Sequence, residues 1–350
     1  MIETWQQHIK EAAARGQKLA VRGGGTKSFL QSTTDNATPL DTRAHSGIVE
    51  YEPNELVIVV RCGTPLADVE KAMADAGQML AFEPPHFSTG ATMGGVVASA
   101  LSGPRRPYAG SVRDFVLGAK VIDGKGDHLS FGGKVMKNVA GFDVSRLLTG
   151  SMGTLGVITE IAFKCLPLPK AHQTRVFDMD AITAIEKMNR WYADAHPITA
   201  TTWVGGKLYV RLAGALPAVT SASAKLGGET LANDTAWWAD WRDQKHLFFA
   251  NAATLHRVSC KSTAEPLAGV TQATDWGGAQ RWVNAPRDDA AKVRYWAKRA
   301  GGHASLWQGG ASDALQQLDP ALIDIHAKIK ASFDPYGVFS ALSLPLRGGG

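Results

Sequence analysis

The chain has 350 residues, 45% of them hydrophobic, and its 37 Lys and Arg against 32 Asp and Glu leave a net charge of +5. That length accommodates two domains with buried cores, and a mild basic excess with no Lys/Arg run longer than two suits an anionic ligand or acidic partner and argues against a nucleic-acid groove. Three well-separated cysteines (Cys62, Cys165, Cys260) without a CxxC exclude a four-cysteine zinc site, an all-cysteine iron–sulfur cluster and a disulfide framework, and no run of 18 apolar residues reads as a membrane span.

In chain order, "MIETWQQHIKEAAARG" reads as a polar amphipathic helix over residues 4–15 and not as a signal peptide; the cysteine usage makes the cytoplasm the default compartment. A short strand at 19–21 then runs into Gly23, Gly24 and Gly25. A dinucleotide fingerprint needs strand, glycine turn and then helix. Here the helix comes first, and "TKSFLQSTTDNATPLDT" after Gly25 is polar and aperiodic, so the sequence argues against a standard NAD site. The glycines suit an anion nest, in which backbone N–H groups converge on phosphate oxygens because no Cβ intervenes. Arg22, Thr26, Lys27 and Ser28 add donors and charge, and a tight surface turn is the plainer alternative.

Residues 56–82 predict strand–helix–strand. "LVIVVRCG" is a buried strand, Thr64 is the N-cap with Pro65 at the first helical position, and Leu66, Val69, Met73 and Ala76 share a face before Gly77 ends the helix. Small residues dominate 88–102, around Gly94 and Gly95, which lets the segment lie against a flat ligand or a neighbouring helix. "VLGAKVIDGKGDHLSF" predicts a hairpin turning at Asp123-Gly124. In 132–169, Gly150, Gly153 and Gly156 recur every third residue and run into the strand "VITEIAFKCL", while Lys137 and Asn138 suit either the polar edge of an aromatic cofactor or a solvated loop.

Residues 171–330 hold nine of the ten tryptophans and none of these loops. "TATTWVGGKLYVRLAG" predicts two strands around Gly205-Gly206. "DTAWWADWRDQKHLFF" predicts one amphipathic helix carrying Trp237, Trp238, Trp241 and Phe248, as core first and as a partner interface second. Arg105 and Arg106 are either a carboxylate clamp or a solvated pair. The ten histidines form no HxH or HxxxH pair. His246, His256 and His303 are candidate acid–base groups, no catalytic residue is identified, and no metal site is expected.

Together "VRGGGTKS", "GATMGGVVAS", "KNVAGFDVSRLLTGSMGTLGVITE" and the late "FDPYGVF" resemble the vanillyl-alcohol oxidase/PCMH-type FAD-binding family. Within it, "LSGPRRPYAGSVRDFVLG" is similar to the FAD-binding E subunits of bacterial glycolate oxidases (glycolate dehydrogenases). The FAD likeness covers about residues 1–170, and the subunit-level likeness runs on to the C-terminus. The resemblance implies an α+β fold: a PCMH-type FAD-binding domain of two α+β subdomains over 1–170, a smaller α+β cap domain over 171–330, and a tail, 331–350, packing back on the FAD domain. It implies that Arg22, Gly23, Gly24, Gly25, Thr26, Lys27 and Ser28 hold the FAD diphosphate. Ser88, Thr89, Gly90, Thr92, Gly94, Gly95, Ala98 and Ser99 are implied along the diphosphate and flavin. Gly150, Gly153, Thr154, Gly156, Val157 and Ile158 are implied at ribityl and adenine, and Lys137, Asn138 and Gly141 near the isoalloxazine, where positive charge would raise the potential.

Members that attach FAD covalently carry His where this chain has Thr26, or add Cys near Ser88, so the resemblance implies non-covalent FAD. It also implies a small 2-hydroxy acid substrate, glycolate going to glyoxylate. The implied partners are a larger FAD-binding catalytic subunit and an iron–sulfur subunit of glycolate oxidase, with no nucleic acid and no direct membrane span, any membrane association running through the partner subunits. The sister flavin subunit carries a metal-binding GHxGDGN motif that is absent here. A non-catalytic flavin subunit with a structural or electron-relay role therefore stands as the alternative, with an enolpyruvyl-sugar reductase as a distant third.

Overall fold

The computed structural model describes residues 1–30, 36–133, 143–308 and 320–340. The chain divides into two units: Met1–Leu101, Ser111–Leu168 and Gln317–Gly350 form unit 1, and Ser102–Gly110 with Pro169–Gln316 form unit 2. This differs from a linear division at 170 and 330 in two places. The excursion Ser102–Gly110 belongs with the later residues, and the helix Pro320–Phe333 belongs with the earlier ones.

Unit 1 opens with helix α1 (Ile2–Arg15), which buries Trp5, Ile9 and Ala12 at spacings of one helical face. Strands β1 (Leu19–Arg22) and β2 (Thr38–Asp41) pair in parallel, Leu19 beside Thr38 and Arg22 beside Asp41. Next come β3 (Ile48–Glu52), β4 (Val57–Arg61), helix α2 (Leu66–Asp75), β5 (Gln78–Met79), helix α3 (Met93–Ser99), β6 (Val116–Ile122), β7 (His128–Gly132), β8 (Val157–Lys164) and β9 (Leu166–Pro167). Five of the strands form an antiparallel sheet in the order β3-β4-β8-β6-β7. Central β4 and β8 are apolar on both faces, as strands covered on both sides are. Ile58, Val60, Ile161 and Phe163 are fully buried, each contributing about 1.5–3 kcal/mol of transfer free energy. Phe82 packs against both Phe115 and Phe163, with ring centroids 5.3 and 6.1 Å away.

Three local expectations are corrected. Thr64 does not cap α2: its hydroxyl accepts from Gly47 N–H (2.9 Å) and donates to Arg61 C=O (2.7 Å), Pro65 takes the N-cap position, and Ala76 lies exposed beyond the helix end. The β6–β7 connection is not a two-residue Asp-Gly turn. The Asp123 carboxylate accepts from the amides of Lys125 and Asp127, both at 2.9 Å, and Gly126, not Gly124, takes the positive φ. The tryptophan-rich segment is two helices, Asp234–Arg242 and Leu247–Ala250. Gln244 at φ 57 breaks the run, and the His246 ring caps the second piece by accepting from Phe248 N–H at 3.2 Å.

Unit 2 is built on an antiparallel sheet of β10 (Ala171–Asp178), β11 (Ile198–Val204), β12 (Lys207–Gly214), β13 (Glu229–Thr230), β14 (Leu255–Ser259), β15 (Thr271–Asp275), β16 (Gln280–Asn284) and β17 (His303–Gln308). Their order is β13-β10-β12-β11-β15-β16-β14-β17. Gly205 and Gly206, at φ 59 and 79, make the tight turn between β11 and β12. Alternation sorts the two faces. Leu208, Val210 and Leu212 pack with the helices Ala181–Ala193 and Leu216–Leu226, and Val258, Val283 and Ala304 pack with the helix Ala290–Arg299. On the other face Tyr209 stacks on Trp237 at 4.1 Å, and Trp282 meets Trp307 edge-on at 5.3 Å.

Candidate functional site

The parallel pairing of β1 and β2 brings the C-terminal ends of both strands to one place, where Thr42 N–H donates to Arg22 C=O at 2.9 Å. The glycine loop leaves β1 at that point, and β4 ends beside it at Cys62. Helix α3 docks on the end of β4 through Gly94 N–H to Cys62 C=O (2.7 Å) and Met93 N–H to Thr64 C=O (2.9 Å). The third loop is tied to the far end of α3 by Gly150 N–H to Val97 C=O and Met152 N–H to Ala98 C=O, both 2.9 Å. These ties close a cleft within unit 1 whose wall is built from all three glycine loops.

Of the residues singled out in the sequence, Arg22 to Ser28, Thr92, Gly94, Gly95, Ala98, Ser99, Gly153, Gly156 and Ile158 line this cleft. Ser88, Thr89 and Gly90 are exposed on the loop that crosses the glycine loop. Thr154 is held outside the lining by Lys330 Nζ, which donates to its carbonyl at 2.7 Å. Gly150 belongs to the tether on α3, and Val157 faces the core. Lys137, Asn138 and Gly141 lie outside the described residues. Val21, Thr42, Cys62 and Met152 also line the cleft and were missed. Thr42 and Cys62 directly follow strands, and their position becomes readable only once β1, β2 and β4 are known to end together.

The structure refines the role of the triple glycine. A Cβ on Gly24 would sit 1.5 Å from the Gly90 carbonyl oxygen, and one on Gly23 2.3 Å from Thr92 Oγ1, the atom that caps α3 by accepting from Gly95 N–H. These two glycines are therefore required by the crossing of two protein loops. Gly25 differs: it has φ +71 and open space where a side chain would go. The left-handed backbone, not crowding, selects glycine there.

The cleft suits an anionic, extended cofactor. Arg22 and Lys27 stand in its wall, and no carboxylate does among the described residues. Lys27 is buried, with Nζ 5.7 Å from the centre of the Phe87 ring. In the third loop the buried hydroxyls of Thr149 and Ser151 have no hydrogen-bond partner among the described residues, and neither residue lines the cleft. Cys62, 1% exposed, has its thiol pushed up to about 12 by burial. It stays protonated and is no nucleophile toward a cofactor.

The catalytic candidates of the second half lie in unit 2. His246 is a helix cap packed against Trp237 and Trp241, and burial lowers its pKa. His256 is buried in β14, and His303 opens β17 with a pKa lowered first by burial and then by Arg257. Arg106 lies 4.4 Å over the Trp276 ring, which makes it part of a packed cluster. Among the described residues no three His, Cys, Asp or Glu are grouped to hold a metal, and no helix is long and apolar enough to cross a membrane.

Residues 2–132 match the FAD binding domain family, and the cofactor is FAD. Over 336 residues the chain is 42% identical to glycolate oxidase subunit GlcE of Escherichia coli, covering 95% of this chain and 94% of that protein. It is 36% identical over 157 residues to glycolate oxidase subunit GlcD of Bacillus subtilis, covering 45% of this chain and 33% of that one. It is 31% identical over 160 residues to D-lactate dehydrogenase of Archaeoglobus fulgidus, covering 45% and 35%. Among solved structures, an alkyldihydroxyacetonephosphate synthase superposes with a TM-score of 0.66 at 14% identity, over 95% of this chain and 74% of that one, which establishes the α+β fold. A cofactor cleft assembled from three glycine loops, together with likeness along almost the whole chain, makes this protein a member of the glycolate oxidase subunit GlcE family of FAD-binding oxidoreductases.

Proposed function

We propose that this chain is the FAD-binding subunit of a multi-subunit glycolate oxidase that takes glycolate, or a close 2-hydroxy acid, to the 2-oxo acid. One observation carries the reading: the likeness to subunit GlcE extends through unit 2 as well as unit 1, whereas an FAD domain alone would leave the activity open. In this reading unit 1 is the cofactor domain and unit 2 the cap. Arg22 and Lys27 offset diphosphate charge, the backbone of Gly23–Gly25 approaches it, Thr92 to Ser99 run along it, and Gly153 to Ile158 line the sugar end. Bound FAD supplies a two-electron acceptor that can release electrons one at a time. FAD is held non-covalently, because Thr26 and Ser88 are not nucleophiles for it and Cys62 stays a thiol. The three cysteines are buried and widely separated in the sequence, so onward electron transfer falls to an iron–sulfur subunit, beside a larger flavin subunit.

The test is purification of the tagged chain from its native cell, followed by anaerobic mixing of the purified assembly with glycolate. Co-purification of a larger flavoprotein and an iron–sulfur protein is expected, with bleaching of the flavin band at a rate matching turnover. A stable monomer, fully active with glycolate and an artificial acceptor, would refute the multi-subunit reading, and an assembly whose flavin glycolate does not reduce would refute the substrate.

A further inference from the structure

The unit 2 sheet face that bears Tyr209 and Trp282 also carries an unusual guanidinium. Arg257, on β14, has its Cζ 5.3 Å from the ring centres of both Trp276 and Trp307. Its Nε donates to Gln280 Oε1 at 2.9 Å, and among the described residues that is its hydrogen bond; the two terminal amino groups have none. The residue is half-buried, with its guanidinium well desolvated. Stacking on indoles uses the faces of a guanidinium and leaves its in-plane N–H fork open, the geometry that matches the two oxygens of a carboxylate.

The surrounding charge points the same way. Arg106 lies over the same Trp276 ring; burial first and the repulsion of Arg106 second push Arg257 down to about 10, still protonated at neutral pH. His303 also lies within electrostatic reach. The facing carboxylate, Asp275, is already engaged: it accepts from Trp241 Nε1 (3.0 Å), Thr202 Oγ1 (3.2 Å) and Trp276 N–H (2.8 Å). The open donors of Arg257 thus belong to a side chain whose orientation is fixed on three sides by Trp276, Trp307 and Gln280.

We propose that Arg257 is a binding residue for the carboxylate of a small hydroxy-monocarboxylate, held in place for that task by Trp276, Trp307 and Gln280. The proposal rests on the functional reading above only for which acid is bound. The test uses the full flavin-loaded chain and follows tryptophan fluorescence during titration with glycolate, and with glycolamide as its neutral isostere. A saturable change with glycolate and none with glycolamide is expected. Arg257→Met should raise the apparent Kd at least tenfold. Gln280→Glu, which places a fixed carboxylate beside an intact guanidinium, should do the same even if the arginine variant fails to fold. The proposal is overturned if glycolate and glycolamide act alike, if glycolate gives no response, or if a folded variant keeps the wild-type Kd. Flavin content measured on the same samples separates the two ideas: flavin with no Arg257-dependent binding sinks this proposal alone, and Arg257-dependent binding by a chain that takes up no flavin sinks the functional reading alone.

Discussion

Removing the Asp334 carboxylate should loosen the cofactor cleft from a distance. Asp334 is 2% exposed and accepts from Val338 N–H (2.7 Å), Phe339 N–H (2.8 Å) and Lys330 Nζ (2.5 Å). The same ammonium donates to the carbonyls of Thr154 and Phe339, so one ion pair joins the C-terminal helix, the following turn and the third glycine loop. Asp334→Ala strands a cation and two amides. Breaking a buried pair costs about 3–5 kcal/mol. Because Lys330 keeps a quarter of its surface in water, the lower end applies, about 3 kcal/mol. For a unit of this size that lowers Tm by about 6–12 °C. Thermal unfolding followed by circular dichroism and by flavin release checks both the size and the coupling, since flavin should leave at a lower temperature than in wild type. Asp334→Asn, which keeps one acceptor oxygen, should fall between. A Tm drop below about 2 °C with unchanged flavin release would refute the argument.

Gly24→Ala should abolish flavin retention, because its Cβ meets the Gly90 carbonyl, whereas Gly25→Ala, strained but unobstructed, should keep most of it; equal 450 nm to 280 nm absorbance ratios in the two would contradict the loop-crossing argument. Acid precipitation should release all flavin to the supernatant, and yellow colour left on the pellet would contradict non-covalent binding. Burial pushes the Asp275 carboxyl up to about 6, so the folded state holds this proton more tightly than the unfolded chain. The resulting stabilisation is full below about pH 4 and is lost as pH rises through 6. The unfolding midpoint of unit 2, read by tryptophan fluorescence, should therefore fall between about pH 4 and 6 in wild type and stay flatter in Asp275→Asn; parallel curves would show that the carboxyl is not perturbed.

What could be read from the sequence was what neighbouring residues decide. The β-branched run of β4, the Gly205-Gly206 turn and the strand-to-glycine junction after Arg22 are set by local stereochemistry, and the structure shows each. What escaped was decided at long range. Thr64 looked like a cap but spends its hydroxyl on Gly47, and Asp123 rebuilds a turn whose glycine pointed elsewhere. A continuous helical period through Trp241 gave no warning of the break at Gln244. In the cleft, the glycines announced themselves by composition, but Thr42 and Cys62 are ordinary residues whose place follows from which strands end together.

The tail also sets an order of assembly. Leu19 forms a parallel bridge with Phe339, donating to Val338 C=O (2.8 Å) and accepting from Ser340 N–H (3.0 Å). The strand that launches the first glycine loop thus waits for a neighbour made more than three hundred residues later. At a synthesis rate of about 5–20 residues per second, that interval is about 16–64 s. Throughout it, the edge of β1 stays open to other chains. A ribosome-bound chain stalled before the tail is therefore expected to hold flavin less well than the full chain, which retention of flavin on stalled complexes would check.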